Sequence, residues 1–309
     1  MKPQNLVSTQ SKQIQEISNW WRKASKVQTE MTSLEEIRDF NENWAGLSAE
    51  PMQVDYIETS ADGVPAMWMI PKGCDESKLL LCFHGGGFFC ASMYSHRKLF
   101  AQMAKQIGCK ALTINYRQAP EHPHPAQVDD AVTAYEWLLK QGIKARNIVL
   151  TGDSSGGGLA ITTLVKARDK GLPMPAATLP FSAWFDMELS GDSMEANRGR
   201  DHAFTKELIN GLVTMVLGEN GNKKDPYVNP LYADLKGLPP IYMQVGSEEV
   251  LLDDSTRLKE LAQRAGVEVK LDIVDDMQHT FLMAVGRAPE ANDAITRYVN
   301  WIKPKLKIK

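Results

Sequence analysis

An α/β fold built on a mostly parallel, doubly wound sheet is what this sequence predicts. Three observations carry that expectation. Short apolar runs with strand character recur along the chain, amphipathic helical stretches fall between them, and a leading hairpin precedes the alternation. Several of the runs are apolar nearly throughout, as strands covered on both faces must be.

Taken in order, residues 1–45 read as helical and carry Trp20, Trp21, Phe40 and Trp44. Residues 54–60 and 64–70 flank Ala61-Asp62-Gly63, a hairpin signature. A strand at 79–83 precedes a helix at 97–107 whose apolar face is Leu99, Phe100, Met103 and Ile107. Strand 111–116 leads to helix 128–139, with Val132, Tyr135, Trp137, Leu138 and Leu139 as its apolar set. Strand 147–151 and helix 159–167 follow, then strands 178–181 and 241–245. Helix 255–264 turns Leu258 and Leu261 inward and stops at Gly266, strand 267–274 comes next, and helix 288–302 opens on Pro289. Two segments break the alternation: residues 1–45 and a polar, Met- and Gly-containing insertion at 188–222. Together they suggest a small helical cap over the carboxyl edge of the sheet, where open α/β folds place their ligands. The expected division is an N-terminal cap segment, 1–45, and a body, 46–309, that carries the insertion.

Composition narrows the function classes. The 309 residues are 43% hydrophobic and 24% charged with a net charge of −3, so one large core is affordable and no basic footprint for nucleic acid or anionic membrane is present. Cys74, Cys82, Cys90 and Cys109 form no Cys-x-x-Cys pair and read as free thiols of a reducing compartment. Residues 1–10 lack the apolar region of a signal peptide, and no stretch nears eighteen consecutive apolar residues; a cytoplasmic location is expected.

The strongest local signal is Gly152-Asp153-Ser154-Ser155-Gly156, set between the apolar run 148–151 and the helix from 159. A sharp strand-to-helix turn strains its central residue, flanking glycines relieve clashes, and Ser154 would project above the sheet as a nucleophile. A phosphate loop is disfavoured because no Gly-Lys-Ser/Thr follows. A serine hydroxyl needs a base. Among His84, His96, His122, His124, His202 and His279, the last follows the final strand, on the loop that lies beside such a turn. His122 and His124 lie in a proline-rich turn and lack further metal ligands, whereas His96 and His202 read as solvated. No metal or cofactor is expected. The acid that orients the base should follow strand 241–245, where Glu248, Glu249, Asp253 and Asp254 stand. Asp253 and Asp254 fall at a helix start, where capping is the default, which leaves Glu248 and Glu249. After strand 79–83, His84-Gly85-Gly86-Gly87 can turn bare N–H groups toward a developing oxyanion, with the Ser155 amide as a further donor.

These motifs, with Asn115-Tyr116-Arg117-Gln118-Ala119-Pro120-Glu121-His122-Pro123 and Gly237-Leu238-Pro239-Pro240, resemble the hormone-sensitive-lipase-like (bacterial family IV) esterases of the α/β-hydrolase superfamily over residues 55–305. The resemblance implies an α/β-hydrolase fold with a helical cap. It also implies a triad of Ser154, an acid and His279, and an oxyanion hole from Gly85, Gly86 and Ser155. The family's Asp-x-Leu-x-Asp segment aligns on Glu249-Val250-Leu251-Leu252-Asp253, so the acid falls on Glu249, a departure from the usual Asp. Short- to medium-chain carboxylic esters are the implied substrates, with lactones or amides as alternatives on the same triad. A non-catalytic binding homologue is the remote alternative, disfavoured because His279 is present. Phe88, Phe89, Trp184, Phe281, Leu282 and the N-terminal tryptophans are candidate pocket walls. A homodimer through edge strand 267–274 is also implied, although Asp272 and Asp275 are edge charges of the kind that block pairing.

Overall fold

The computed structural model describes residues 10–28 and 30–308, so residues 1–9 of the expected N-terminal segment lie outside the described residues. Helices α1 (Lys12–Gln28) and α2 (Leu34–Asn41) and a 3₁₀ turn (Glu42–Gly46) come first. Strands β1 (Val54–Ala61), β2 (Val64–Pro71) and β3 (Asp75–Phe83) lead to α3 (Met93–Ile107) and β4 (Cys109–Ile114). Next come α4 (Ala126–Lys140), β5 (Ile148–Asp153), α5 (Ser155–Asp169), β6 (Ala177–Phe181), α6 (Ser193–Ala196) and α7 (Lys206–Leu217). The chain finishes with β7 (Ile241–Gly246), α8 (Leu252–Arg264), β8 (Val269–Val274) and α9 (Pro289–Leu306).

Among the described residues, eight strands form one sheet in the order β1-β2-β4-β3-β5-β6-β7-β8. The β1–β2 hairpin and the β2–β4 pair are antiparallel, and every other pair is parallel. Side-chain alternation along β3 divides the core. Leu79, Leu81 and Phe83 face a layer containing Val132 of α4, Leu164 of α5 and Leu258 of α8, whereas Leu80 and Cys82 face Phe100 of α3 and Tyr298 of α9. Trp21 of α1 and Trp44 extend that second layer. The strand order reverses at β3, which has β4 on one side and β5 on the other, so the carboxyl ends of β3 and β5 flank the crevice.

Several boundaries moved, each for a local reason. Helix α3 starts at Met93, not at 97, because Ser92 accepts the amides of Tyr94 and Ser95 while Ser95 reciprocates. The insertion at 188–222 is less polar than it reads. Thr205 caps α7, and Ile209, Leu212, Val213 and Val216 form a buried stripe at helical spacing. Asp253 and Asp254 do not cap α8, which begins at Leu252 without a side-chain cap. Standing in its first turn, they reach across instead: Asp254 Oδ2 accepts the amides of Phe185 (2.7 Å) and Asp186 (2.8 Å), and Asp253 Oδ2 accepts that of Ser193 (2.8 Å). β8 forms the sheet edge from Val269, two residues later than expected, and Asp272 there is held by the Tyr242 hydroxyl and Arg297.

Candidate active site

β5 hands over to α5 through a single residue. Ser154 sits at φ 52° and ψ −119°, a conformation side chains rarely adopt. The turn closes because its flanks are glycine: a Cβ on Gly152 would lie 2.1 Å from the Gly156 carbonyl oxygen, and one on Gly156 would lie 2.2 Å from that of Phe83. Backbone bonds lock it, with the Ser154 amide donating to Phe181 O (3.0 Å) and the Ser154 carbonyl accepting from Gly157, Gly158 and Trp184.

Three loops bring Ser154, His279 and Glu249 together. Ser154 Oγ lies 3.0 Å from His279 Nε2, and His279 Nδ1 lies 2.8 Å from Glu249 Oε2. A carboxylate only accepts, so Nδ1 carries the proton and Nε2 is left free to accept from the serine hydroxyl. The other carboxylate oxygen, Oε1, accepts the Gly246 amide (2.6 Å) and the Ser182 hydroxyl (2.8 Å). Ser182 Oγ in turn accepts the Thr280 amide (3.0 Å), so one hydroxyl ties the acid loop to the base loop. Glu248 faces the other way, paired with Arg200.

All three groups are buried. For His279, burial is the largest single influence and favours the neutral ring. The hydrogen bond and charge of Glu249, joined by the carboxylates of Asp153 and Asp201, outweigh it and hold the imidazole above its ordinary value. An imidazolium formed here during proton transfer is therefore supported on several sides.

The glycine loop after β3 is pinned by its own histidine. His84 stacks on Tyr116 with centroids 4.2 Å apart and planes 7° from parallel, and its Nδ1 lies 2.7 Å from Gly85 O. Burial pushes His84 down to about 3, so it stays neutral. Of the expected donors, the Gly85 amide already has a partner, His96 Nε2 at 3.2 Å. The amides of Gly86, Gly87 and Ser155 have no acceptor among the described residues, and Gly87 lines the same cavity as Ser154. That cavity, of about 10 Å³, is otherwise walled by Trp184, Phe204, Ile209, Leu212 and Leu251.

A family model described as the alpha/beta hydrolase fold matches residues 80–283, two thirds of the chain and all three loops. The chain belongs to the α/β-hydrolase family. Within that family it groups with the hormone-sensitive-lipase-like proteins. A crystal structure of an esterase from the bacterial hormone-sensitive lipase family superposes with a TM-score of 0.92 at 36% identity, covering 96% of this chain and 99% of that one. An acetyl-hydrolase of Streptomyces hygroscopicus is 37% identical over 74% of this chain and 76% of its own. An esterase of Acinetobacter venetianus is 35% identical over 73% and 75%.

Other residues of this α/β-hydrolase sit differently from their sequence reading. His96 is fully buried rather than solvated, with Nε2 3.1 Å from Asp153 Oδ2 and Nδ1 2.9 Å from Ser95 Oγ. It braces the residue before Ser154 against the glycine loop. His202 is half-buried, 2.7 Å from Ser18 Oγ and 2.9 Å from Arg22 Nη2. His124 lies 3.2 Å from Asp225 in the proline-rich turn, and the Tyr116 hydroxyl of that stretch donates to His84 O (2.9 Å). Of the expected wall residues, Trp184 alone lines the cavity; Phe88, Phe281 and Leu282 are core, Phe89 packs against it, and Trp20, Trp21 and Trp44 lock one another edge to face. Phe204, Ile209, Leu212 and Leu251 were not anticipated. The helical spacing of 209, 212, 213 and 216 after Thr205 is the signal that would have found two of them.

Proposed function

We propose that this chain is a serine carboxylesterase working through an acyl-enzyme, with Ser154 as nucleophile, His279 as base and Glu249 as the acid that orients it. The observation that carries the reading is the unbroken relay Ser154 Oγ–His279 Nε2, His279 Nδ1–Glu249 Oε2, at 3.0 and 2.8 Å, on a strained turn beside three uncommitted amides. Ser154 Oγ attacks the ester carbonyl while Nε2 takes its proton, and Glu249 steadies the imidazolium. The amides of Gly86, Gly87 and Ser155 receive the oxyanion. Nε2 then returns the proton to the departing alcohol, and water repeats the cycle on the acyl-serine.

The apolar walls beside Ser154 support an uncharged acyl group, and the acetyl-hydrolase relative points to short chains, acetyl foremost. We read α1, α2, α6 and α7 as the cap. Phe204 and Leu212 cover Ser154, and Trp21 donates to His279 O at 2.9 Å. Four free cysteines suit a reducing compartment such as the cytoplasm. Among the described residues no helix is long and apolar enough to cross a membrane. The test is a panel of nitrophenyl acetate through octanoate, a lactone and an anilide. Acetate and butyrate should be turned over by the natural chain and not by Ser154→Ala, and a panel hydrolysed equally by both overturns the assignment.

A further inference from the structure

Asp201 is a carboxylate nearly out of contact with solvent, at 5% exposed, and no cation among the described residues pairs with it. Its neighbours in sequence are occupied elsewhere: Arg200 pairs with Glu248, and His202 bonds Ser18 and Arg22. A buried charge without a counter-ion is costly to keep. A serine or asparagine would bond a local turn without that cost. What Asp201 does touch is the catalytic framework. Oδ2 accepts the amide of Val250, the residue after Glu249, at 2.9 Å. Oδ1 accepts the amides of Ala203 (2.8 Å) and Phe204 (3.0 Å), and the Phe204 ring stands edge-on to His279 with centroids 4.8 Å apart. One carboxylate thereby spans the acid loop and the aromatic cover of the base.

Asn197, four residues earlier, grips the same loop. Its Nδ2 donates to the carbonyls of Ser247 (2.9 Å) and Glu249 (2.7 Å). The carboxylate of Glu249 is held from within by Gly246 and Ser182, and its backbone from outside by the 197–204 segment. A glutamate has one more side-chain torsion than an aspartate, so fixing its backbone on both sides removes freedom that would swing Oε2 off Nδ1.

We propose that Asn197 and Asp201 are positioning residues for the ester-cleaving site, fixing the acid loop under the base, with the Asp201 charge also supporting the imidazolium. The inference rests on the esterase reading. The titratable groups that bear on Asp201 are His279, which favours its ionised form, and Glu249, which opposes it; burial is the largest influence and pushes it up to about 6. Asp153 is the other carboxylate acting on His279.

The experiment is steady-state kinetics on nitrophenyl acetate, normalised to active sites titrated with an organophosphate, for the natural chain, Asp201→Asn and Asn197→Ala. Both variants should lose kcat by about 10- to 100-fold with KM held within about threefold. In Asp201→Asn the acid limb of kcat/KM should move to lower pH, because a charge favouring the imidazolium is gone; in Asn197→Ala it should stay in place. Natural kcat and an unmoved limb in Asp201→Asn overturn the proposal. Should that variant not fold, Asn197→Ala decides alone, and kcat within about twofold of the natural chain overturns it. A natural chain that neither labels nor turns over ester defeats the esterase reading and this inference with it, whereas an active natural chain with unaffected variants defeats this inference only.

Discussion

Glu249→Gln is the sharpest perturbation because it changes charge and donor pattern without changing volume. Glu249 is fully buried; Oε2 accepts from His279, and Oε1 accepts the Gly246 amide and the Ser182 hydroxyl. All three are donors, so an amide NH₂ has no good direction to point. Turned to His279, it donates to Nδ1 and forces the proton onto Nε2, which can then no longer accept from Ser154. Turned to Gly246 and Ser182, it sets donor against donor and weakens the tie to the base loop. The wrong-tautomer outcome costs about 10⁴ in kcat in the archetypal triad, which is about 5 kcal/mol of barrier. We expect a loss of that order on nitrophenyl acetate, with KM changed little and the fold retained by circular dichroism. Asp253→Asn is the control. Its carboxylate accepts from the Ser193 amide and the Thr256 hydroxyl and bonds neither Glu249 nor His279, so kcat should stay within about threefold. Glu249→Gln retaining a tenth or more of natural turnover, or Asp253→Asn collapsing it, would refute the assignment of the acid.

Four further outcomes rest on the same geometry. The acid limb of kcat/KM should lie above the ordinary histidine value, because His279 is raised and only its neutral form accepts a proton. Stability runs the other way: the His279–Glu249 pair contributes it fully below the unfolded histidine value and loses it as pH rises through the raised folded one, visible as a falling Tm across that window. Gly156→Ala places a Cβ 2.2 Å from a backbone oxygen that no rotamer change can move, so urea melts should show a loss of at least about 3 kcal/mol together with loss of turnover. Leu212→Ala removes the cavity wall opposite Gly87; it should cost about 2–3 kcal/mol in stability and raise the octanoate-to-acetate ratio of kcat/KM about tenfold.

Much of the fold was legible because parallel strands buried on both faces are written as largely apolar runs. β5, with every residue buried, and β7 are of that kind. The meeting of Ser154 with His279 was legible from chain order, since each follows a strand end that a doubly wound sheet brings to one edge. What escaped depends on contacts distant in sequence. His96 lies near a helix start, where histidines ordinarily meet water, and it is buried by Asp153, Gly85 and the rings of Trp44, His84 and Phe100. That same approach gives the Gly85 amide a partner, and no spacing rule within His84–Gly87 reveals which glycine amides stay uncommitted. Asp253 and Asp254 had the right place for capping, but the loop at 185–193 presented buried amides in greater need of acceptors. α7 was hidden because Gly211 and several polar residues dilute a stripe of four apolar positions.

Covalent capture asks whether Ser154 Oγ is a nucleophile activated by His279. Intact-mass analysis after exposure to a nitrophenyl phosphonate should show one adduct per natural chain, mapped by peptide fragmentation to Ser154. The adduct should be absent in Ser154→Ala and should form far more slowly in His279→Ala. A natural chain left unmodified, or an adduct borne on any other residue while ester turnover persists, would rule out Ser154 as the nucleophile.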